Sequence, residues 1–406
     1  MLGQSQVQGK SRSRARLAAA ASAEKKVTLS YLRDSAFERI LKGLPVQCRC
    51  NIKGSIMRSS GCLYRWYLWS VAMLVAGISA TAANAATAAT DTVQTAMAAF
   101  ARANAAVVGV KVGVADDADS AETLGKQRTG SGVVIGQDGL ILTIGYLMLE
   151  AQSIQVITQD NRTLPAQAVA YDLATGFGLI RTVVPLRGVE PAALGSLKDL
   201  QPGEALMAAT GAQGEGEDGD VRMTQLVSKR PFSGYWEYHI DAAVFTSPPI
   251  GNHSGAPLFN QKGELVGIGS LFVSDALGGN RRLPGNMFVP VDLLKPILSE
   301  MQQTGSTSTS RRPWLGLSST EESGRVQIVK VSKKSPAQIA GLEPGDLVLA
   351  VDGAKVATLE EFYKKLWDHA RPEAEISLTV LQGADLKTIV LKPVDRMSTM
   401  RKAAGI

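Results

Sequence analysis

Histidine is scarce in this sequence, and the positions of its few histidines matter more than their number. The 406 residues contain three of them, His239, His253 and His369, and none lies in the first half of the chain. Imidazole is the side chain whose ordinary pKa lets it accept a proton near neutral pH. Chemistry that needs an imidazole base from the first half of the chain is therefore excluded.

Cysteine is equally scarce, with Cys48, Cys50 and Cys62 as its three occurrences. All three precede Ala85, after which we expect the chain to be cleaved on export. The mature protein would then have no disulfide, no thiol nucleophile and no cysteine-based metal site. The sequence also has no His/Cys/Asp cluster with metal-ligand spacing, so we expect no metal and no other cofactor.

The sequence lacks a long hydrophobic run, and its main apolar stretch has the length of an export signal. Trp66–Ala80 spans about 15 residues, which is too short to cross a bilayer comfortably. Arg58 and Arg65 precede it, and Ala83-Asn84-Ala85 follows it as a small-x-small cleavage site. We therefore expect a signal peptide over 57–85 and a periplasmic or otherwise exported protein. An uncleaved signal that anchors the chain in the membrane is the alternative.

Positive charge is concentrated at the start of the chain. Residues 1–85 hold 13 Lys/Arg and 3 Asp/Glu, whereas the remaining residues hold 30 and 34. Because the folded part is slightly acidic, it lacks the basic surface that nucleic-acid binding requires. We interpret residues 1–56 as a basic extension that is disordered or precedes the true start at Met57, and an organelle transit peptide is the rival interpretation.

Short β-like runs recur after the signal at near-regular spacing. An Ala-rich stretch over 86–104 has helical spacing, and two sets of six strands follow it, which favours two all-β barrels, with a sandwich as the alternative. A helix over Val291–Met301 would close this domain, which we place at 86–301. The predicted strands are Val107–Val114, Gly132–Ile135, Leu140–Thr143, Ile154–Thr158, Ala166–Ala170, Gly178–Val183, Ala205–Thr210, Met223–Val227, Tyr238–Ile240, Pro257–Asn260, Leu265–Leu271 and Gly285–Val289.

A polar, Ser/Thr-rich segment over 302–312 is typical of a linker, and a second unit over 313–395 follows it, with a short tail at 396–406. This unit has four predicted strands and a helix at Leu359–Asp368. The predicted strands of this unit are Val326–Val331, Leu347–Val351, Glu375–Leu381 and Thr388–Leu391.

The second unit resembles a PDZ domain through Arg312–Leu317 and Ser335–Gly353. In a PDZ domain a peptide C-terminus adds as a strand to an exposed sheet edge. The resemblance implies that backbone N–H groups around Leu315, Gly316 and Leu317, beside Trp314, hold the terminal carboxylate. Gly316 permits the close approach that a side chain would block.

The larger domain together with this PDZ unit resembles the HtrA/Deg family of exported serine proteases over about 100–395. The fold class that this implies is an all-β trypsin-like double barrel followed by a small α+β PDZ domain. The motifs that carry the resemblance are Gly130–Ile135, Gly139–Thr143, Asp241–Ala243, Ser254–Leu258 and Gly263–Ile268.

Two catalytic positions of the family pattern carry other residues here. Ser254 stands at the nucleophile, but Tyr146 occupies the position of the histidine base and Gly176 the position of the aspartate. Asp172 lies four residues too early, and we expect it to be a turn residue. A phenol with an ordinary pKa near 10 cannot serve as the base, although it can fill the volume of the imidazole and plug the cleft.

The loop before the serine also departs from the family pattern. Asn252 and His253 fill the two places that the family gives to glycine and asparagine, unless an insertion follows Gly251-Asn252. The resemblance makes this the oxyanion-hole loop. Because these two residues differ from the family pattern, the sequence does not determine the backbone geometry of the loop. Asn tolerates a left-handed backbone better than most residues, which would preserve the turn.

We expect no other residue to replace the missing base. His253 is adjacent to Ser254 on a sharp turn where neighbouring side chains diverge, and His239 is a partly buried or surface residue of a strand. His369 lies in the PDZ unit, where we expect it to be exposed. Asp241 is predicted to support the nucleophile loop. Ser254 is then either a relic whose hydroxyl caps the turn or a residue with slow or induced reactivity.

The resemblance implies an exported pseudoprotease that binds unfolded or C-terminal peptide segments and has a chaperone-like, adaptor or regulatory role in envelope protein quality control. It also implies a homo-oligomer, alone or together with an active relative, and no nucleic-acid partner. Two alternatives stay open. The first is an active serine endopeptidase that degrades misfolded proteins with an unorthodox base. The second is a purely structural envelope component.

Overall fold

The computed structural model describes residues 94–403 apart from 215, 280 and 370. The predicted extension over 1–56, the signal peptide over 57–85 and the start of the helix at 86–104 lie outside the described residues. All described residues belong to one compact unit. Within this part of the chain, no helix is both long and apolar enough to cross a bilayer.

The first barrel follows a helix, α1 (94–105). Its strands are β1 (Val107–Val114), β2 (Gln127–Val134), β3 (Leu140–Ile144), β4 (Ala151–Ile157), β5 (Thr163–Tyr171) and β6 (Phe177–Thr182), with a short helix α2 (Ala121–Leu124) and a 3-10 helix (Gly145–Met148) between them. They close in the order β1-β2-β3-β6-β5-β4. Val and Ile, which favour strands, fill the interior together with Leu.

The second barrel contains β7 (Ala205–Ala209), β8 (Val221–Gly234), β9 (Tyr238–Ser247), β10 (Pro257–Phe259), β11 (Leu265–Val273) and β12 (Gly285–Pro290). It closes in the order β10-β11-β12-β9-β8-β7. All twelve predicted strands are present, which confirms two barrels. The strand predicted at Met223–Val227 was too short, because β8 continues through polar residues to Gly234 and forms a long hairpin with β9.

The closing helix predicted over Val291–Met301 was wrong. The chain instead forms a 3-10 turn (Val291–Leu293) and a separate helix, α3 (Leu298–Thr304). Pro296 explains the break, because proline lacks a backbone N–H and disfavours helical backbone in the residue before it. Helix α3 therefore extends into the segment that we predicted as linker.

The C-terminal part contains the predicted PDZ elements. These elements are β13 (Pro313–Trp314), β14 (Leu317–Glu322), β15 (Arg325–Val331), α4 (Pro336–Ile339), β16 (Leu347–Val351), β17 (Ala354–Lys355), α5 (Leu359–Trp367), β18 (Ile376–Gln382), β19 (Asp385–Leu391), β20 (Val394–Asp395) and α6 (Arg396–Thr399). The main sheet has the order β14-β15-β16-β18-β19. A capping box between Thr358 and Glu361 fixes the start of α5, whose apolar face packs on the sheet.

Asp172 has a structural role. Its side chain stabilises a turn of the first barrel and also binds the linker. Its carboxylate is fully buried and accepts hydrogen bonds from the backbone N–H and hydroxyl of Thr175, as expected for a turn residue. The hydroxyls of Thr307 and Ser310 donate to the same carboxylate. The Ser/Thr-rich linker is thus attached to the first barrel by buried hydrogen bonds.

We predict that Asp172→Ala destabilises the protein markedly. The substitution leaves the buried hydroxyls of Thr307 and Ser310 without their acceptor, and hydrogen bonds to charged groups contribute about 1.5–3 kcal/mol each. Thermal unfolding should show a melting temperature several degrees below that of the wild type. Asp116→Ala is the control, because that side chain is 89% exposed and its ion pair contributes about 1 kcal/mol at most. Equal melting temperatures for the two variants would contradict the prediction.

Candidate functional site

The loop that carries Ser254 forms a sharp turn between β9 and β10. Asn252 has a left-handed backbone, with φ of 48°, so the asparagine accommodates the turn as we expected. The N–H of Gly255 donates to Gly269 O at 2.8 Å, and the N–H of Ser131 donates to Ser254 O at 2.8 Å. A Cβ on Gly255 would lie 2.0 Å from Ser131 O, so this position requires glycine. The loop is therefore held in one conformation by its backbone.

Tyr146 and Ser254 are brought into direct contact. The phenol oxygen lies 2.6 Å from Ser254 Oγ and 3.0 Å from the carbonyl oxygen of Ser270. A carbonyl oxygen can only accept, so Ser254 is the donor in the shorter bond whenever the phenol donates to Ser270. In the other arrangement the phenol donates to Ser254 Oγ. In both arrangements the serine hydroxyl faces a group that is protonated at neutral pH.

Burial determines the protonation state of this tyrosine. Burial raises the pKa of Tyr146 to about 12, against a smaller lowering by the hydrogen bond to Ser254. At neutral pH the phenol is therefore uncharged and cannot accept a proton from the serine. Its ring packs against the hydrophobic core, and its hydroxyl lies against Ser254 Oγ.

Gly176, which we predicted at the aspartate position of the family pattern, contributes backbone contacts. Its φ is 85°, and its carbonyl oxygen accepts from the N–H of Gly145 at 2.7 Å. Gly145 begins the 3-10 helix that carries Tyr146. A Cβ on Gly145 would lie 2.2 Å from the Tyr171 ring, so this close backbone approach requires glycine. Gly176 thus helps to position Tyr146, and it has no side chain that could orient a base.

None of the three histidines, all of which are described, is hydrogen-bonded to Ser254. His253 makes no bond to its neighbour, and burial lowers the pKa of its imidazole. His239 is buried, and its ring lies 2.9 Å from Ser233 Oγ and 3.3 Å from Asp241 Oδ1. The expectation that His369 is exposed was wrong, because its side chain is 18% exposed and pairs with Asp352 at 2.9 Å.

Asp241 belongs to a charged cluster at the PDZ helix. The Lys364 ammonium lies 2.8 Å from both the Asp241 and Glu360 carboxylates, and its hydrogen bond holds the pKa of Asp241 below the usual range. The prediction that Asp241 supports the nucleophile loop was wrong, since its partners in the described chain are Lys364 and His239. A cation could also be held by His239, Asp241 and Glu360. In this structure the Lys364 ammonium already provides the positive charge between the two carboxylates.

The three backbone N–H groups that we predicted to hold a peptide carboxylate, called the cradle below, hold the side-chain carboxylate of Glu237 in this structure. The N–H groups of Leu315, Gly316 and Leu317 donate to the Glu237 side chain at 3.0, 2.7 and 2.7 Å. Glu237 is 6% exposed, and burial raises the pKa of its carboxyl, against lowering by these N–H groups and by Arg396. Trp314 lies beside the cradle, in β13, with the Arg396 guanidinium 5.0 Å from its ring centre.

Glu237 was not anticipated from the sequence. Its signal is the pattern Tyr235-Trp236-Glu237-Tyr238, one acid among three aromatic residues at a hairpin tip. A cavity of about 290 Å³ has Tyr146, Gly176, Glu237 and Trp314 in its lining. Tyr146, the partner of Ser254, and Glu237, the partner of the PDZ N–H groups, therefore line the same cavity.

The comparisons with known proteins agree with this architecture. Residues 130–268 match the model of the trypsin-like peptidase domain, and residues 313–392 match the model of the PDZ domain. The trypsin-like fold class with a C-terminal PDZ domain is thereby confirmed.

Among curated proteins, the chain is 28% identical over 273 residues to a "probable periplasmic serine endoprotease DegP-like" of Hahella chejuensis, covering 64% of this chain and 55% of that protein. It is 25% identical over 289 residues to "serine protease HTRA1" of Xenopus laevis, covering 65% of this chain and 60% of that protein. The chain thus spans between half and two thirds of the length of these two relatives.

Among solved structures, "HtrA-type protease AlgW with tripeptide" matches with 20% identity and a TM-score of 0.47, covering 76% of this chain and 97% of that chain. The curated relatives and the two domain matches together identify the chain as a homologue of the HtrA/DegP proteins, with a trypsin-like peptidase domain followed by a PDZ domain.

Proposed function

We propose that this protein is an exported HtrA/Deg-like pseudoprotease that binds peptides. Its trypsin-like barrels serve as a scaffold, and its PDZ domain binds C-terminal or unfolded segments of client proteins. Its role is chaperone-like or regulatory, in protein quality control of the cell envelope. The predicted signal peptide over 57–85 and the periplasmic name of the Hahella relative support the proposed location.

The observation that carries this proposal is the 2.6 Å contact between the Tyr146 hydroxyl and Ser254 Oγ. A serine hydroxyl attacks a peptide bond only when a base removes its proton. The group in contact with Ser254 is a phenol whose pKa is raised to about 12, and Gly176 has no carboxylate. Removal of a triad member leaves about 10³–10⁴-fold acceleration over water, which is too little for a working protease.

Peptide binding rests on the PDZ domain. The N–H groups of Leu315, Gly316 and Leu317 converge on one carboxylate, which is the geometry that a peptide C-terminus requires. Assembly into a homo-oligomer, alone or with an active relative, is part of the proposal through the family resemblance.

Degradation of unfolded casein tests the loss of chemistry. We expect the purified protein and its Ser254→Ala variant to leave casein intact at equal, background rates, because no base activates the serine. Gel electrophoresis over a time course measures the loss of casein, and trypsin serves as the positive control. Cleavage by the wild type that Ser254→Ala abolishes would establish the alternative, an active endopeptidase with an unorthodox base.

We expect the wild type and Ser254→Ala to have nearly the same free energy of unfolding, and we expect Tyr146→Phe to lower it more. In Ser254→Ala the phenol keeps its bond to Ser270 O, so we expect a change within about 0.5 kcal/mol. Tyr146→Phe removes the partner of Ser254 and of the buried Ser270 carbonyl, at a cost of about 0.5–1.5 kcal/mol.

Denaturant unfolding of the wild type, Ser254→Ala and Tyr146→Phe gives the comparison. Tyr171→Phe is the matched control, since it also removes one phenol oxygen from a buried ring but leaves Ser254 and Ser270 unchanged. Equal destabilisation by Ser254→Ala and Tyr146→Phe would contradict this prediction. The hydrogen bond between the phenol and Ser254 would then account for the stabilisation, and the bond to Ser270 O would contribute little.

A further inference from the structure

The hairpin between β8 and β9 inserts its tip between the two walls of the PDZ groove. On one side, the N–H of Ser319 in β14 donates to Tyr235 O at 2.8 Å. On the other side, the hydroxyl of Tyr363 in α5 donates to Gly234 O at 2.8 Å and accepts from the N–H of Glu237 at 3.3 Å. Residues 234–237 therefore contact the strand and the helix that would enclose a peptide.

At the tip, the side-chain carboxylate of Glu237 lies where the terminal carboxylate of a bound peptide would lie. The Glu237 carboxylate receives all three N–H groups of the cradle, at 2.7–3.0 Å. Its backbone is left-handed, with φ of 56°, which is an unusual and costly conformation for a residue other than glycine. The surrounding contacts hold it there, and the conformation directs the side chain into the cradle.

We propose that residues 234–237 are an internal ligand of the PDZ groove, and that an incoming peptide with a free C-terminal carboxylate must displace Glu237 to bind. This inference rests on the proposed peptide-binding function of the PDZ domain. The occupant and the peptide share one chemistry, a carboxylate that accepts the N–H groups of Leu315, Gly316 and Leu317, so they exclude one another. Peptide binding therefore requires that the hairpin leave the groove.

An internal ligand weakens the measured affinity for a peptide, because the apparent Kd equals the intrinsic Kd divided by the fraction of molecules whose groove is open. If Glu237 occupies the cradle about nine-tenths of the time, the apparent Kd for a peptide is about tenfold above its intrinsic value. Removing the carboxylate should recover this factor without any new contact between the PDZ domain and the peptide.

Fluorescence anisotropy with labelled hexapeptides tests the competition. The probes end in Tyr-Trp-Val, Tyr-Trp-Leu or Tyr-Trp-Phe, each as the free acid and as the C-terminal amide, so that the aromatic pair copies Tyr235 and Trp236. We expect Glu237→Ala and Glu237→Gln to bind the free acids about tenfold more tightly than the wild type does. The amides should bind all forms weakly. Glu217→Ala, at an exposed loop position, is the matched control and should equal the wild type.

Hydrogen–deuterium exchange at Leu315, Gly316 and Leu317 tests occupancy without any peptide. These amides should exchange faster in Glu237→Ala than in the wild type and in Glu217→Ala. Unchanged exchange would overturn the inference, because the cradle would then not depend on Glu237. Faster exchange with equal peptide affinities would also overturn it, while leaving peptide binding intact. Faster exchange with no peptide bound by any form would refute peptide binding itself and reduce Glu237 to a structural contact.

Discussion

A buried carboxylate must be hydrogen-bonded, and the arrangement of the two domains follows from how this chain meets that requirement twice. Glu237, from the second barrel, accepts three N–H groups of the PDZ domain. Asp172, from the first barrel, accepts the hydroxyls of Thr307 and Ser310 in the linker. If the partner segment moved away, Glu237 would lose the three N–H groups, and Asp172 would keep only its donors from Thr175. The PDZ domain and the linker before it are thus each held by a buried carboxylate that water would otherwise have to solvate.

The contact at the cradle is linked to the Ser254 site by a short series of hydrogen bonds. Next to Glu237, the Tyr238 hydroxyl donates to Thr175 O at 2.6 Å. The following residue, Gly176, accepts from Gly145, and the residue after Gly145 is Tyr146. The hairpin that occupies the PDZ groove therefore also contacts the segment that positions the phenol against Ser254.

The sequence predicted the fold better than it predicted the contacts. Short apolar runs at near-regular spacing located all twelve barrel strands, since a strand bounded by turn residues leaves a local pattern in the sequence. Pro296 broke a predicted helix, and this could have been foreseen from its missing N–H. The pairing of Tyr146 with Ser254 follows from the family pattern, but the bond to Ser270 does not. Glu237 was missed because its partners lie about 80 residues later in the chain and no local spacing connects them.

If Tyr146 and Gly176 stand at two catalytic positions, as we propose from the family pattern, the residues at these two positions depend physically on one another. A carboxylate at position 176 would stabilise an imidazolium, but beside a neutral phenol it would be a partly buried anion that the residue at position 146 does not stabilise, which is costly. Glycine removes that charge, and its φ of 85° lets its carbonyl oxygen accept from Gly145 instead. Once an uncharged Tyr146 fills the place of the base, a residue without a carboxylate is favoured at position 176. The site is therefore a consistent, uncharged packing arrangement, with a serine hydroxyl satisfied by a tyrosine.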